Sequence, residues 1–171
     1  MIVVLDASSL ILLEKTGLLE KLAKRTTMRI PKEVEREATA KGTQKSVPDA
    51  FRIKGKIEQE LIKVESIKNL QASRFFQDAF NIGKGESEAI TLFKEIHADI
   101  LATDDRLAIN ACKALHIPFA TSIAFVIESY ETGKVTKDEA SQMIQILADQ
   151  GRYKAEIIFN ALKKIGGADN D

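Results

Sequence analysis

Short apolar runs rich in β-branched residues alternate, over the first 122 residues, with stretches whose apolar positions recur at helical spacing. The runs expected to form strands are residues 2–5, 26–31, 61–67, 98–103 and 117–122. Strands that alternate with helices favour a parallel sheet covered by helices on both faces. We therefore predict an α/β fold of three layers, α/β/α, around a central parallel sheet of four or five strands.

Capping and helix-breaking residues indicate where the elements begin and end. Ser8 or Ser9 is available to cap the first helix, and Pro31 suits the first turn of a helix over residues 31–42. Residues 42–60 are polar, and we expect them to form a loop with one short helix.

The last part of the chain has a different pattern, which is helical over residues 123–165 and broken at Gly133 and Gly151. The length of 171 residues is that of one ordinary domain. We expect the sheet within residues 1–125, a C-terminal helical extension of the same domain over residues 126–165, and a flexible tail over residues 166–171.

Composition and charge narrow the function classes. The 25 basic and 25 acidic residues balance, which lowers the expectation of tight, non-specific binding to a polyanion but leaves room for a local basic rim. Cys112 is the single cysteine, so an internal disulfide is excluded, and its place on the apolar side of a helix indicates a buried thiol in a reducing compartment. No apolar run is long enough to span a bilayer. We expect a cytoplasmic protein without membrane contact.

Acidic residues stand where strands end. Asp6 follows the first strand, and Asp104 and Asp105 follow the fourth, so all three are expected at the edge of the sheet where ligands bind in such folds. Glu37 follows the second strand, and Glu86 begins the helix before the fourth. These five carboxylates are the candidate site.

Carboxylates that gather within a few ångströms repel one another, so either their pKa values rise or a cation holds them ionised. Ligands that are all oxygen favour Mg²⁺ or Mn²⁺. Zinc is disfavoured, because His97 and His116 lie far from any zinc-type spacing with the one cysteine.

Each carboxylate also has a structural explanation. Either aspartate of the doublet can cap the following helix, while the other points into the site; the shorter distance to the strand end favours Asp104 as the ligand. Glu86 can complement a helix N-terminus. Single charges on helices, here Glu33, Glu35 and Glu88, are expected on solvated faces.

Four segments, taken in order, resemble those of the PIN-domain nucleases, a family that includes toxins of the VapC kind. LDASSLI resembles the opening strand of the family, with its catalytic aspartate at Asp6 and its Ser or Thr at Ser8. IPKEVEREA and GKGESEAITLFKE are similar to the segments that carry the next two acids, at Glu37 and Glu86. LATDDRLAINACKALHIP resembles the fourth segment and leaves Asp104 and Asp105 as alternatives.

The resemblance implies a PIN-like nuclease domain over residues 1–125 that hydrolyses RNA phosphodiester bonds with Mg²⁺ or Mn²⁺. The implied catalytic residues are Asp6, Glu37, Glu86 and Asp104 or Asp105; all but Glu37, which would orient the attacking water, are implied metal ligands, and Ser8 would fix a carboxylate rotamer. Asn110 stands where the family carries a basic residue, so no phosphate contact is implied there.

The implied partners are an RNA substrate, an antitoxin protein if the chain is the toxin of a toxin–antitoxin pair, and a second copy in a homodimer. The alternative function is a catalytically weak PIN-like module that binds RNA or protein. Phosphatases of the haloacid dehalogenase type are disfavoured because Ser8 stands where their second aspartate is required, and glycine spacings of nucleotide-binding loops are absent.

Overall fold

The computed structural model describes residues 1–40 and 47–167, and its centre is a sheet of parallel strands. The strands are β1 (Ile2–Leu5), β2 (Thr27–Pro31), β3 (Ile62–Glu65), β4 (Ile100–Ala102) and β5 (Phe119–Ala120). Their order across the sheet is β3-β2-β1-β4-β5. β1 and β4 are neighbours, with Val3 opposite Ile100 and Leu5 opposite Ala102. The predicted parallel sheet is confirmed, with five strands.

Helices connect the strands and cover both faces of the sheet. Within the described residues they are α1 (Ala7–Thr16), α2 (Leu18–Ala23), α3 (Lys32–Glu35), α4 (Pro48–Glu58), α5 (Leu70–Phe80), α6 (Lys84–Glu95), α7 (Arg106–Ala114), α8 (Ser122–Glu131), α9 (Lys137–Gln150) and α10 (Ala155–Gly166). A π-helical turn, Arg36–Ala40, continues α3. None of the described helices is long and apolar enough to cross a membrane.

Alternate residues of β1 point into two separate cores. Val3 and Leu5 join the larger core, which α1, α2 and the C-terminal helices cover. Val4 points the other way, into the core beneath α5, α6 and α7, where Cys112 is also buried. The three side chains are fully buried, which explains why β1 is a continuous apolar run without polar alternation.

The three C-terminal helices pack on the larger core. Ile144 and Leu147 of α9 and Ala161 and Ile165 of α10 are buried in the same cluster as Val3 of β1. These helices therefore contribute to the hydrophobic core of the sheet. The breaks between them fall near Gly133 and Gly151, where the sequence pattern predicted them.

Two local expectations differ from the structure. Asp6, rather than Ser8 or Ser9, is the N-cap of α1, because its carboxyl group accepts a hydrogen bond from the Ser9 backbone N–H. The segment expected to be a loop with one short helix contains the 11-residue α4, which Asp49 ties to Lys15 of α1 through an ion pair of 2.6 Å.

The flexible tail over residues 166–171 stays a prediction. Gly166 is the last residue of α10, and residues 168–171 lie outside the described part of the chain, as do residues 41–46 of the predicted second helix and loop.

Candidate active site

Parallel pairing of β1 and β4 brings two aspartates together at the carboxyl ends of these strands. Asp6 directly follows β1, and its backbone N–H donates to the Ala102 carbonyl of β4 at 3.1 Å. Asp104 follows β4 after Thr103, whose backbone N–H donates to Ala120 of β5 at 3.1 Å. The strand ladder thus continues past both strand ends and holds the two carboxyl groups side by side.

Asp6 is buried among hydroxyl and backbone donors. The residue as a whole is 1% exposed. Oδ1 accepts from Ser8 Oγ at 2.7 Å and from the Ser9 N–H at 2.8 Å, and Oδ2 accepts from Thr103 Oγ1 at 2.5 Å. Burial raises the pKa of Asp6 to about 7, the Asp104 charge adds to the rise, and these hydrogen bonds oppose it.

Asp104 is half-buried and is surrounded by donors. Its Oδ2 accepts from Ser9 Oγ at 2.7 Å and from Ser122 Oγ at 2.5 Å. Its Oδ1 accepts from the Ser122 N–H at 3.0 Å and from the hydroxyl of Tyr153. Ser9 therefore bridges Asp6 and Asp104, and the segment between α9 and α10 reaches the site through Tyr153.

Asp105 faces away from this pair. Its carboxyl group caps α7 by accepting from the Ala108 N–H at 2.9 Å. The structure therefore divides the doublet as expected, with Asp104 beside Asp6 and Asp105 at the helix start. The catalytic and metal-binding roles proposed for Asp6, Asp104 and Asp105 stay predictions.

Glu37 and Glu86 lie together at the start of α6. Glu95 ends this helix just before β4 begins, so α6 runs back across the sheet and starts at the same edge as Asp6. The Glu86 side chain folds over Gly83, and Glu37 lies against Gly85, where an added Cβ would be 2.8 Å from Glu37 Oε2. Two glycines thus leave room for two carboxylates at a helix N-terminus, where negative charge is favoured.

The Asp6–Asp104 pair has no positive side chain in contact with it among residues 1–40 and 47–167. Every hydrogen bond described for the two carboxyl groups comes from a hydroxyl or a backbone N–H. A buried carboxyl group without a counter-charge is costly to ionise. This set of oxygen atoms fits Mg²⁺ or Mn²⁺, since Mg²⁺ takes one or two carboxylates and keeps part of its water.

The larger cluster of acids predicted from the sequence is not seen as a metal-binding group. Within the described residues, no three His, Cys, Asp or Glu side chains are placed to hold one metal ion together. Glu86 stays a predicted ligand and Glu37 a predicted water-orienting residue. The structure places Asp6 and Asp104 side by side, and their role as metal ligands stays a prediction.

Two glutamates expected on solvated faces are buried instead. Glu33 is 6% exposed and Glu88 is 7% exposed. Glu33 pairs with Arg36 and, at 3.2 Å, with Lys84, and Glu88 accepts from the Glu33 N–H at 3.4 Å. The Arg36 and Lys84 charges hold the pKa of Glu33 at about 2, so this cluster has its own cations.

The sequence did not indicate four residues that contact the two aspartates: Ser9, Thr103, Ser122 and Tyr153. Thr103 could have been found from its place between β4 and Asp104. Ser122 had a similar signal, since it ends the predicted fifth strand. Tyr153 had none, because it reaches Asp104 only through the packing of the segment before α10.

A family model described as a PIN domain matches residues 2–167. No curated protein and no solved structure matches the chain.

Proposed function

Since the chain belongs to the PIN-domain family, whose fold is of the nuclease type, we propose that it is a metal-dependent endoribonuclease that hydrolyses RNA phosphodiester bonds. The observation that carries the proposal is the Asp6–Asp104 pair, which is bridged by Ser9 at the carboxyl edge of the sheet and contacts no cation among the described residues. A site of this kind attracts a divalent ion and, through it, an anionic phosphodiester.

Asp6 and Asp104 would hold Mg²⁺ or Mn²⁺, which when bound supplies the positive charge that attracts the phosphodiester and activates a water. Ser8 and Thr103 fix the Asp6 carboxylate by donating to its two oxygens. Ser122 does the same for Asp104 with its N–H and its hydroxyl. These contacts hold the two carboxylates in place before the substrate arrives.

Glu86 and Glu37 complete the proposed centre from the start of α6. In this proposal Glu86 adds a further oxygen ligand, direct or through water, and Glu37 orients the attacking water. Their support is the position of α6, which begins at the sheet edge that carries Asp6, and the glycines that admit both side chains there.

The test is cleavage of a pool of structured and single-stranded RNAs with and without Mg²⁺ or Mn²⁺. We expect cleavage only with the metal and none above background for Asp6→Asn. The matched control is Glu65→Gln, which removes an ion pair between Arg29 and the edge strand β3. It should cleave like the wild type. Equal cleavage by wild type and Asp6→Asn would overturn the proposal.

One observation favours the second candidate, a PIN-like binding module with little activity. The Asp104 carboxylate already accepts hydrogen bonds from Ser9, Ser122 and Tyr153, which compete with a metal ion for its oxygens. RNA binding without cleavage at millimolar Mg²⁺ and Mn²⁺ would select this candidate.

The role as a toxin, the antitoxin partner, the homodimer and the cytoplasmic location stay predictions. Light scattering of the purified chain tests the dimer, and growth arrest on expression, absent in Asp6→Asn, tests the toxin role.

A further inference from the structure

A cleft opens directly beside Asp104, on the side away from Asp6's buried surroundings. It has a volume of about 590 Å³ and lies between α7 and the segment that joins α9 to α10. Asp104 and Tyr153 are among the residues that line it. An occupant of this cleft therefore lies against Asp104, one member of the candidate pair.

The cleft is strongly basic although the whole chain has no net charge. Arg106 and Lys113 of α7 line one wall, and Arg152 and Lys154 line the other. All four side chains belong to exposed residues, and none forms an ion pair within the described part of the chain. Elsewhere many cations are paired, as Lys15 is with Asp49 and Lys21 with Glu139.

Tyr153 ties the wall that carries Arg152 and Lys154 to the candidate site. Its hydroxyl donates to Asp104, and Arg152 and Lys154 flank it in the sequence. The contact that ties this segment to the candidate site thus also places two unpaired cations next to it. On the opposite wall, Lys113 lies one helical turn beyond Asn110, which lacks the basic side chain that the family resemblance led us to expect there.

We propose that this cleft binds the sugar–phosphate backbone of single-stranded RNA next to the scissile phosphate. The inference rests on the proposed ribonuclease function and extends it to the class of substrate. The four exposed cations, which form no ion pair within the described residues, attract backbone phosphates, whereas an acidic centre alone would repel these phosphates. The volume lies within the range of about 300–1,000 Å³ for pockets that enclose a small ligand, so the cleft suits a flexible strand of about one or two nucleotides rather than a duplex.

In this proposal the cleft contacts the RNA backbone more than the bases. Its apolar wall consists of Ile109 and Ile157, and the hydroxyl of Tyr153, its one aromatic residue among those that line it, is engaged by Asp104. Base stacking on aromatic rings, which strengthens many single-strand binders, is therefore limited to the one partly buried ring of Tyr153. Binding should be tolerant of sequence and should weaken steeply with salt.

The experiment measures fluorescence anisotropy of a labelled single-stranded RNA in EDTA, where no cleavage interferes, at several salt concentrations. The variant Arg152→Ala/Lys154→Ala is compared with Lys63→Ala/Lys94→Ala, which removes two exposed cations that form no ion pair in the described residues and lie outside the cleft. Melting curves establish that both variants are folded.

We expect the cleft variant to bind roughly tenfold more weakly at 0.1 M salt, and its salt slope to fall by about 1.4, since each phosphate contact to a single strand contributes about 0.7. The control should bind like the wild type. With Mn²⁺ present, the cleft variant should cleave with a raised KM and a largely kept kcat. A duplex of the same sequence should bind more weakly than the single strand.

Four outcomes would each overturn the proposal. The cleft variant could bind RNA like the wild type, or the control variant could bind as weakly as the cleft variant. The wild type could bind the duplex more tightly than the single strand, or bind a polyglutamate peptide as tightly as RNA. These outcomes are separable from failure of the ribonuclease function. If the cleft binds RNA but no metal supports cleavage, the ribonuclease function is rejected and RNA binding by the cleft is kept. If the cleft variant binds and cleaves RNA like the wild type, only RNA binding by the cleft is rejected.

Discussion

Asp6 and Glu33 are both almost fully buried, and they lie in opposite electrostatic surroundings. Arg36 and Lys84 hold the pKa of Glu33 at about 2, so this carboxylate is ionised and neutralised by the chain itself. Burial raises the pKa of Asp6 to about 7, and within residues 1–40 and 47–167 its carboxyl group accepts hydrogen bonds only from hydroxyl groups and a backbone N–H.

Burial alone therefore does not distinguish an acidic residue that stabilises the fold from one that belongs to a functional site. The charge of a buried acid with its own cations is neutralised, whereas a buried and a half-buried acid side by side, with no cation in contact within the described residues, lack a counter-charge. A buried acid with a raised pKa and no cation beside it is a candidate for a functional site. Four predictions test this contrast.

The largest effect is expected on cleavage, within the aspartate doublet. Asp104→Asn should lower metal-dependent RNA cleavage by at least about 100-fold, because replacing groups that merely orient metal ligands already costs 10–100-fold. Asp105→Asn is the matched control, since asparagine caps a helix as well as aspartate does and Asp105 caps α7. Initial cleavage rates with Mn²⁺, each with a melting curve, measure both. An equal loss in the two variants would show that this division between ligand and cap is wrong.

The next effect is on thermal stability in the presence of metal. Mg²⁺ or Mn²⁺ bound to the native state should stabilise it by about 2.7 kcal/mol at a hundredfold excess over Kd, and the Tm should rise accordingly. The rise should vanish in Asp6→Asn and persist in Glu33→Gln, whose carboxylate already has Arg36 and Lys84. If Glu33→Gln loses the rise and Asp6→Asn keeps it, the two regions have been assigned the wrong way round.

The third effect is a difference in how stability depends on pH, measured by urea unfolding in EDTA. The pKa of Glu33 is lowered from 4.5 to about 2, so its contribution is complete above pH 4.5 and is lost as the pH falls towards 2. Glu33→Gln should therefore cost about 1–3 kcal/mol at pH 7, and less at pH 3.

Asp6 should behave in the opposite sense. Its pKa is raised from 3.8 to about 7, so the folded state holds its proton more tightly and the wild type loses stability as the pH rises through this window. Asp6→Asn should therefore gain stability relative to the wild type between pH 4 and pH 8. Parallel pH profiles for the two variants would remove the electrostatic contrast.

The smallest effect concerns Tyr153, which contacts Asp104 and also lines the basic cleft. Tyr153→Phe removes one hydrogen bond to Asp104 and should cost about 0.5–1.5 kcal/mol of stability in EDTA. It also frees an oxygen of Asp104, so the Tm rise caused by Mn²⁺ should become larger than in the wild type. Scanning calorimetry with and without Mn²⁺ tests both; a smaller rise in the variant would mean that the hydroxyl group assists metal binding.

Much of the fold could be predicted from the sequence because its signals are local. Val3, Val4 and Leu5 form a run that is apolar on both faces, as a central strand requires, and Gly133 and Gly151 mark the ends of helices. The segment 48–58 was misjudged because its helix is amphipathic and polar in composition, and it is held in place by Asp49 and Lys15, which are distant in sequence.

The sequence by itself determined which residue types stand at the strand ends, and hence that Asp6 and Asp104 meet once β1 and β4 pair in parallel. Tertiary structure alone decided which acids are neutralised. Glu33 gains Lys84 from a helix 51 residues away, while Asp104 gains Ser9 and Tyr153 from elements 95 and 49 residues away and gains no cation in contact with it in the described residues. The reason is physical: a strand-end position follows from local hydrophobic pattern, but the counter-charge of a buried carboxylate depends on which distant side chains the packing brings within about 4 Å.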